Sequence, residues 1–192
     1  MRLAGSLSVL PQFAIPLRSV LSIGMLKPRR EIMGDEQATA AVQAVYADLE
    51  QRPIERDCTR LTECCQFKLT GKTPYLTSGE AVHAATAMRA AGIQRLPEKK
   101  DGSCPLLHPQ TGHCLIYADR PFSCRTHFCP GAGGPYARRE VVDLIRRLED
   151  IDHAMGGCGA QSLPAAMKEA LERARPHKRG VHSTVSPRSR GR

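Results

Sequence analysis

Seven cysteines in two groups could do chemistry in this chain. Cys104, Cys114, Cys124 and Cys129 fall within the thirty residues from Asp101 to Pro130, and Cys58, Cys64 and Cys65 lie some forty residues upstream. Thiols at this density bind metal, form disulfides or carry redox chemistry. A thiol–disulfide catalyst usually has a Cys-x-x-Cys pair at a helix start, and no Cys-x-x-Cys occurs here. Cys124-x4-Cys129 is too loose to take that role. The even total of eight cysteines suits a disulfide framework, but adjacent Cys64 and Cys65 cannot pair without strain, and helices as long as those expected here are unusual in such scaffolds. Metal binding remains: two groups of soft ligands suit zinc or an iron–sulfur cluster.

Seven thiols exceed the four that one zinc or one cubane takes, so either two metals bind or some cysteines support the others. His113 and His127 flank ligand positions and could donate nitrogen. Arg120 and Arg125 stand beside cysteines, where a cation or a donor to sulfur offsets the negative charge of ligating thiolates. Cys158 stands apart in a glycine loop and reads as a thiol outside the ligand set.

These residues need elements to position them. Residues 35–52 read as a helix with Ala38, Val42, Val45 and Leu49 at helical spacing, Asp35 as N-cap and Pro53 as its end. Thr77 and Glu80 form a capping box for a helix running to about Ala91. Residues 136–155 form the strongest helix, with Val141, Ile145, Leu148, Ile151 and Met155 on one stripe, and Ser162 caps a last helix to Arg175. Cys104–Leu107 and His113–Tyr117 read as two short strands, joined by a turn in which Gly112 can take positive φ. That hairpin brings Cys104 near Cys114. Gly131–Pro135 reads as a linker; it lacks the Lys-Ser/Thr of a phosphate-binding loop. The expected fold is a small α-rich (α+β) domain over 35–175, with three to four helices around a cysteine-lined metal site and a short β-hairpin or knuckle.

Composition narrows the function. The chain has 192 residues, no Trp, four Phe and four Tyr. A core this poor in large aromatics gains from a cross-link or a metal. The net charge of +9 is carried by the tails. Residues 1–34 hold Arg2, Arg18, Lys27, Arg29 and Arg30 against Glu31, and residues 176–192 hold Lys178, Arg179, Arg188, Arg190 and Arg192 with no acid. Residues 35–175 are neutral, which argues against a nucleic-acid domain beyond weak tail contacts. Residues 1–34 read as a disordered, transit-like or over-extended start and 176–192 as a disordered basic tail. No apolar run is long enough to span a membrane.

Two motifs carry a family resemblance. Cys58-x5-Cys64-Cys65 resembles the Cys-x-x-Cys-x-x-Cys-Cys element of the YkgJ-type zinc- or iron-chelating cysteine-cluster family, with Leu61 where that family's second Cys stands. Leu115-Ile116-Tyr117-Ala-Asp-Arg120-Pro121-Phe-Ser-Cys124-Arg125 resembles its later Ile-Tyr-x-x-Arg-Pro-x-x-Cys-Arg element. The resemblance covers about residues 56–130. It implies a metal site built from Cys58, Cys64, Cys65, Cys104, Cys114, Cys124 and Cys129, and little about a reaction. The cysteine pattern is also similar to that of flagellin lysine methylases, which implies an iron–sulfur cluster.

The expectation is a cytoplasmic, bacterial-type metal-binding protein, with a [4Fe–4S] cluster favoured over Zn2+. Two alternatives stand beside it. One is a cluster-dependent enzyme of redox or protein-methyl-transfer type, which requires a pocket next to the metal lined by Tyr117, Arg120 and His127. The other is a structural zinc module mediating protein contacts, which a closed site without a pocket would mark.

Overall fold

The computed structural model describes residues 32–174, apart from Ile54, Glu55, Asp57, Thr59 and Leu61. The expected tails at 1–34 and 176–192, save residues 32–34, and the Leu61 position lie outside the described residues. The described chain is mostly helical. Six α-helices run in the order α1 Asp35–Glu50, α2 Phe67–Thr70, α3 Ser78–Ala90, α4 Phe122–Thr126, α5 Arg138–Ala154 and α6 Leu163–Arg173. Two-residue strands β1, Tyr75–Leu76, and β2, Gln161–Ser162, pair antiparallel, with Tyr75 opposite Ser162.

The four long helices are those the apolar spacing predicts, and α3 is central, packing against α1, α5 and α6. Its first two turns are buried all round from Gly79 to Ala85. Small residues make that burial feasible: Ala81, Ala84 and Ala85 let neighbouring helices approach closely. Gly79 is the tightest point. A Cβ there would lie 2.8 Å from Ile151 Cγ2 and 3.1 Å from Val42 Cγ2, so α1 and α5 meet over a bare backbone. Val42, Val45, Leu144, Leu148, Leu163 and Met167 complete the core. Each such side chain contributes about 1.5–3 kcal/mol by leaving water.

Three local readings change. The N-cap of α1 is Gly34, not Asp35; the Gln37 side chain reaches back to accept from the Gly34 N–H at 3.3 Å. Ser162 holds the N-cap position of α6 but makes no side-chain cap; Pro164, two residues on, has no N–H to offer it. Gly131–Pro135 is less open than a linker. Pro130–Ala132 forms a 3-10 turn, and Gly133 and Gly134 follow at φ +93° and +71°. In that turn the Ala132 and Gly134 N–H groups both donate to the Cys129 carbonyl.

The pairing of β1 with β2 joins two stretches far apart in the chain. Together with the Leu163 N–H bond to the Pro74 carbonyl at 2.8 Å, it ties the segment after α2 to the start of α6. Met33 N–H donates to the Ala154 carbonyl at 2.8 Å and fixes the approach to α1 on the end of α5.

Candidate metal centre

The cysteines stand on short, irregular pieces held by the helical core. Cys64 and Cys65 sit in the 3-10 turn Glu63–Cys65 just before α2. The Cys65 carbonyl accepts the Cys104 N–H at 2.7 Å, which joins the upstream group to the downstream one. The expected hairpin contracts to a single antiparallel bridge between Leu107 and Cys114. His108 N–H to the His113 carbonyl and Leu115 N–H to the Leu106 carbonyl, both at 2.8 Å, close it. Tyr117–Asp119 then winds into a 3-10 turn in place of the expected second strand end. Arg120-Pro121 is extended, and Pro121 caps α4, which carries Cys124.

A buried carboxylate anchors that short helix. Glu80 is 3% exposed. Its Oε2 accepts from Thr77 N–H and Thr77 Oγ1–H, each at 3.0 Å; the first of these, with the Glu80 N–H donating to Thr77 Oγ1 at 3.5 Å, makes the capping box. Its Oε1 accepts the Phe122 N–H at 2.9 Å and the Tyr46 hydroxyl at 3.2 Å. Burial raises the Glu80 pKa, and the bonds from Thr77, Phe122 and Tyr46 oppose that rise. His83, one turn along α3, packs edge-on against Tyr46 and faces Asp119 Oδ1 at 3.3 Å.

Arg125 is occupied away from the thiols. Its Nε donates to the Arg120 carbonyl at 2.8 Å, one terminal nitrogen donates to the Ala118 carbonyl, and the other pairs with Glu50 at 2.9 Å. Its guanidinium also lies 4.3 Å over the Tyr46 ring. It clamps the Tyr117–Arg120 turn onto α1.

One cavity of about 620 Å³ opens between these pieces. Cys58, Cys64, Cys65, Cys104, Cys114 and Cys124 line it, as do His113, His127, Tyr117 and Arg120. Among the described residues, Cys129 and Cys158 do not line it. Cys129 sits at the N-cap of the 3-10 turn after α4, and Cys158 is exposed in the loop after α5. Further residues on the wall are Arg60, Lys72, Phe67, Pro74, Tyr75 and Leu163, which spacing alone does not single out.

Six of the thiols share one space. Cys64 Sγ and Cys65 Sγ stand 4.0 Å apart. Among the described residues, no three His, Cys, Asp or Glu side chains stand at metal-ligating distance. No disulfide joins any of the eight cysteines, all of which are described.

Their proton affinities suit an unmet demand for positive charge. Burial pushes Cys104 up to about 12 and raises Cys114 and Cys124 as well, and neighbouring thiolates add to the effect at each. Cys65 is raised by its hydrogen bond to Cys64, which in return holds the Cys64 thiol below its ordinary value, with help from Arg120. Cys65, Cys104, Cys114 and Cys124 hold their protons more tightly than an ordinary thiol and Cys64 less tightly, and a bound cation would take the place of those protons. The donor set therefore fits a soft metal.

The loop before Cys64 is strained. Arg60 and Thr62 adopt φ +57° and +58°, a region that side chains with a Cβ rarely enter and that costs of order 1–3 kcal/mol each. The Arg60 guanidinium lies 4.7 Å over the Tyr117 ring, and that of Arg120 lies 4.3 Å over the same ring.

No curated protein and no solved structure matches the chain. Residues 57–143, which hold seven of the eight cysteines and every described cavity residue except Leu163, match the CxxCxxCC family, described as a putative zinc- or iron-chelating domain, the family that the cysteine motifs resemble.

Proposed function

We propose that this protein chelates zinc or iron in the cavity between α2, the Leu107–Cys114 bridge and α4, and that an iron–sulfur cluster of [4Fe–4S] type is favoured over a single zinc. The observation that carries the reading is that six cysteines from two distant stretches line one cavity. Cys64, Cys65, Cys114 and Cys124 would supply thiolates, with Cys58 and Cys104 completing the set and Cys129 joining from the turn beyond. Six thiols exceed the four that one zinc or one cubane takes, so thiols outside the ligand set remain with either; the room of about 620 Å³, more than a closed zinc site needs, is what supports the cluster. A bound metal would supply positive charge to thiolates and, if it is a cluster, an electron-transfer centre. Arg120 would offset the charge of the ligating sulfurs.

A second reading has its own observation. The cavity has room beyond a metal and is lined by Tyr117, Arg120 and His127, as an enzyme acting next to the metal requires. A redox or protein-methyl-transfer enzyme is the form that reading takes. The same open cavity counts against a purely structural zinc module. A reducing compartment such as the cytoplasm is the setting in which this many thiols stay available for metal.

Anaerobic purification, followed by an absorption spectrum and elemental analysis of one sample, tests the proposal. A brown protein absorbing near ~400 nm with iron and labile sulfide is expected. Colourless protein with zinc would keep chelation and overturn the cluster. Protein without metal, its thiols oxidised in pairs, would end the proposal.

A further inference from the structure

We propose that the cavity is also a binding site for a small organic monocarboxylate, with Arg60 and Arg120 holding the anionic end and Phe67, Tyr75 and Leu163 contacting its apolar body. The proposal shares its cavity with the metal reading and extends it by naming a ligand class.

Charge gives the first argument. Arg60, Lys72 and Arg120 line the cavity, and no carboxylate does among the described residues. The ion pairs elsewhere make the contrast: Arg52 meets Asp143, Arg125 meets Glu50 and Arg147 meets Asp48. Neither Arg60 nor Arg120 makes such a pair among the described residues.

Geometry gives the second. Both guanidiniums stack on Tyr117, at 4.7 and 4.3 Å from its ring centre. A guanidinium held over a ring keeps N–H donors to offer, and a guanidinium fork can meet a planar carboxylate bidentately. Arg60 is delivered to this position by a backbone in the left-handed region, the kind of local strain that functional sites hold.

Size and polarity give the third. About 620 Å³ is the scale of a small-molecule pocket, and Phe67, Pro74, Leu106, Pro121 and Leu163 give part of its wall an apolar surface. Such a wall favours a singly charged head on an apolar chain over a doubly charged phosphate. A phosphate site would draw on a glycine-rich loop of backbone N–H groups, and Gly131–Pro135 is not on the wall. The rival explanation is that the cations only balance thiolates. Arg120 does lower the proton affinity of Cys64 and Cys114, so Arg60 is the residue that separates the two.

The experiment titrates octanoate, octylamine and octyl phosphate into the anaerobically purified full chain by calorimetry, with metal content measured on each sample. Octanoate should bind, and octylamine should not. Arg60→Met should weaken octanoate at least tenfold while metal content and circular dichroism stay unchanged, and Arg60→Lys should restore part of the loss. Equal binding of octylamine and octanoate would reduce the cavity to an apolar sink and overturn the proposal. Tighter binding of octyl phosphate would overturn the choice of carboxylate. Absence of octanoate binding, with metal lost in both Arg60→Met and Arg120→Met, would assign the cations to the thiolates alone. Protein that lacks metal yet binds octanoate through Arg60 would support this proposal and sink the metal reading.

Discussion

Glu80 Oε1 accepts the backbone N–H of Phe122 at 2.9 Å, and through that bond a carboxylate inside the helical core sets the turn that carries Cys124. The same side chain holds Tyr46 of α1 and caps α3, so three elements meet on one buried group. Glu80→Ala would strand the Phe122 N–H, the Tyr46 hydroxyl and the Thr77 N–H. Each unsatisfied buried group costs about 1–3 kcal/mol. A loss of at least about 3 kcal/mol in urea unfolding, followed by circular dichroism, is expected, together with lower metal content. A variant with wild-type stability and metal would show that Glu80 neither holds the core nor places Cys124.

The cysteines should separate into ranks by position. Cys124→Ala removes a thiol from the cavity wall and should release metal and lower stability, since metal binding to the folded state adds to folding free energy. Cys158→Ala alters an exposed thiol in a loop and should leave metal content unchanged. Cys129→Ala should fall between the two, because Cys129 stands off the wall but within one short turn of it. Elemental analysis of the three proteins checks the order. Full metal retention in Cys124→Ala would remove this cavity as the metal site.

Legibility in the sequence followed the range of the interactions. The long helices could be read because their signals are local: the Val42–Val45–Leu49 spacing, the Thr77–Glu80 capping box, the stripe from Val141 to Ile151. The cysteines could be read because thiol density is itself a chemical signal. What could not be read depends on chain separation. Glu80 announces a cap three residues away and gives no sign of Phe122, forty-two residues on. Arg125 sits between cysteine positions, yet its donors go to carbonyls of the preceding turn and to Glu50. Arg60 and Lys72 look like ordinary surface charges until the loops bring them to the cavity. The hairpin shrank to one bridge because the chain turns at Leu115 and Ile116, directly after Cys114, and enters a 3-10 helix at Tyr117.

Gly79 predicts a packing cost that composition hides. In an exposed helix, replacing glycine by alanine stabilises by lowering backbone entropy. Here the added methyl would press Ile151 and Val42, at 2.8 and 3.1 Å. Overpacking of this kind costs about 1–3 kcal/mol, so Gly79→Ala should destabilise in spite of its higher helix propensity. Thermal unfolding by circular dichroism reads the sign directly, and a raised midpoint would mean that α1 and α5 can yield.

Asp152 gives the pH dependence its lower limb. It is 1% exposed near the end of α5 and accepts the Ser78 N–H at 2.7 Å and the Gly159 N–H at 2.8 Å, tying α5 to the first turn of α3. Burial works to raise its pKa, but the bonds from Ser78 and Gly159 outweigh it and hold the carboxyl below the usual 3.8. An acid whose folded value lies below its unfolded value contributes stability that is complete above the unfolded value. That stability is lost as pH falls through the folded one. His83 acts earlier. Its burial lowers its pKa from 6.5 despite Asp119, so the unfolded chain takes up a proton first and stability begins to fall below about pH 6.5. Urea midpoints measured from pH 7.5 to 3 should therefore decline in two stages. Asp152→Asn should abolish the stage below pH 4 and lower stability at pH 7 by about 1–3 kcal/mol, since an amide cannot accept both N–H bonds as a carboxylate does. His83→Gln should flatten the upper stage and leave the lower one. A single transition unaffected by either substitution would show that the acid sensitivity originates elsewhere in the chain.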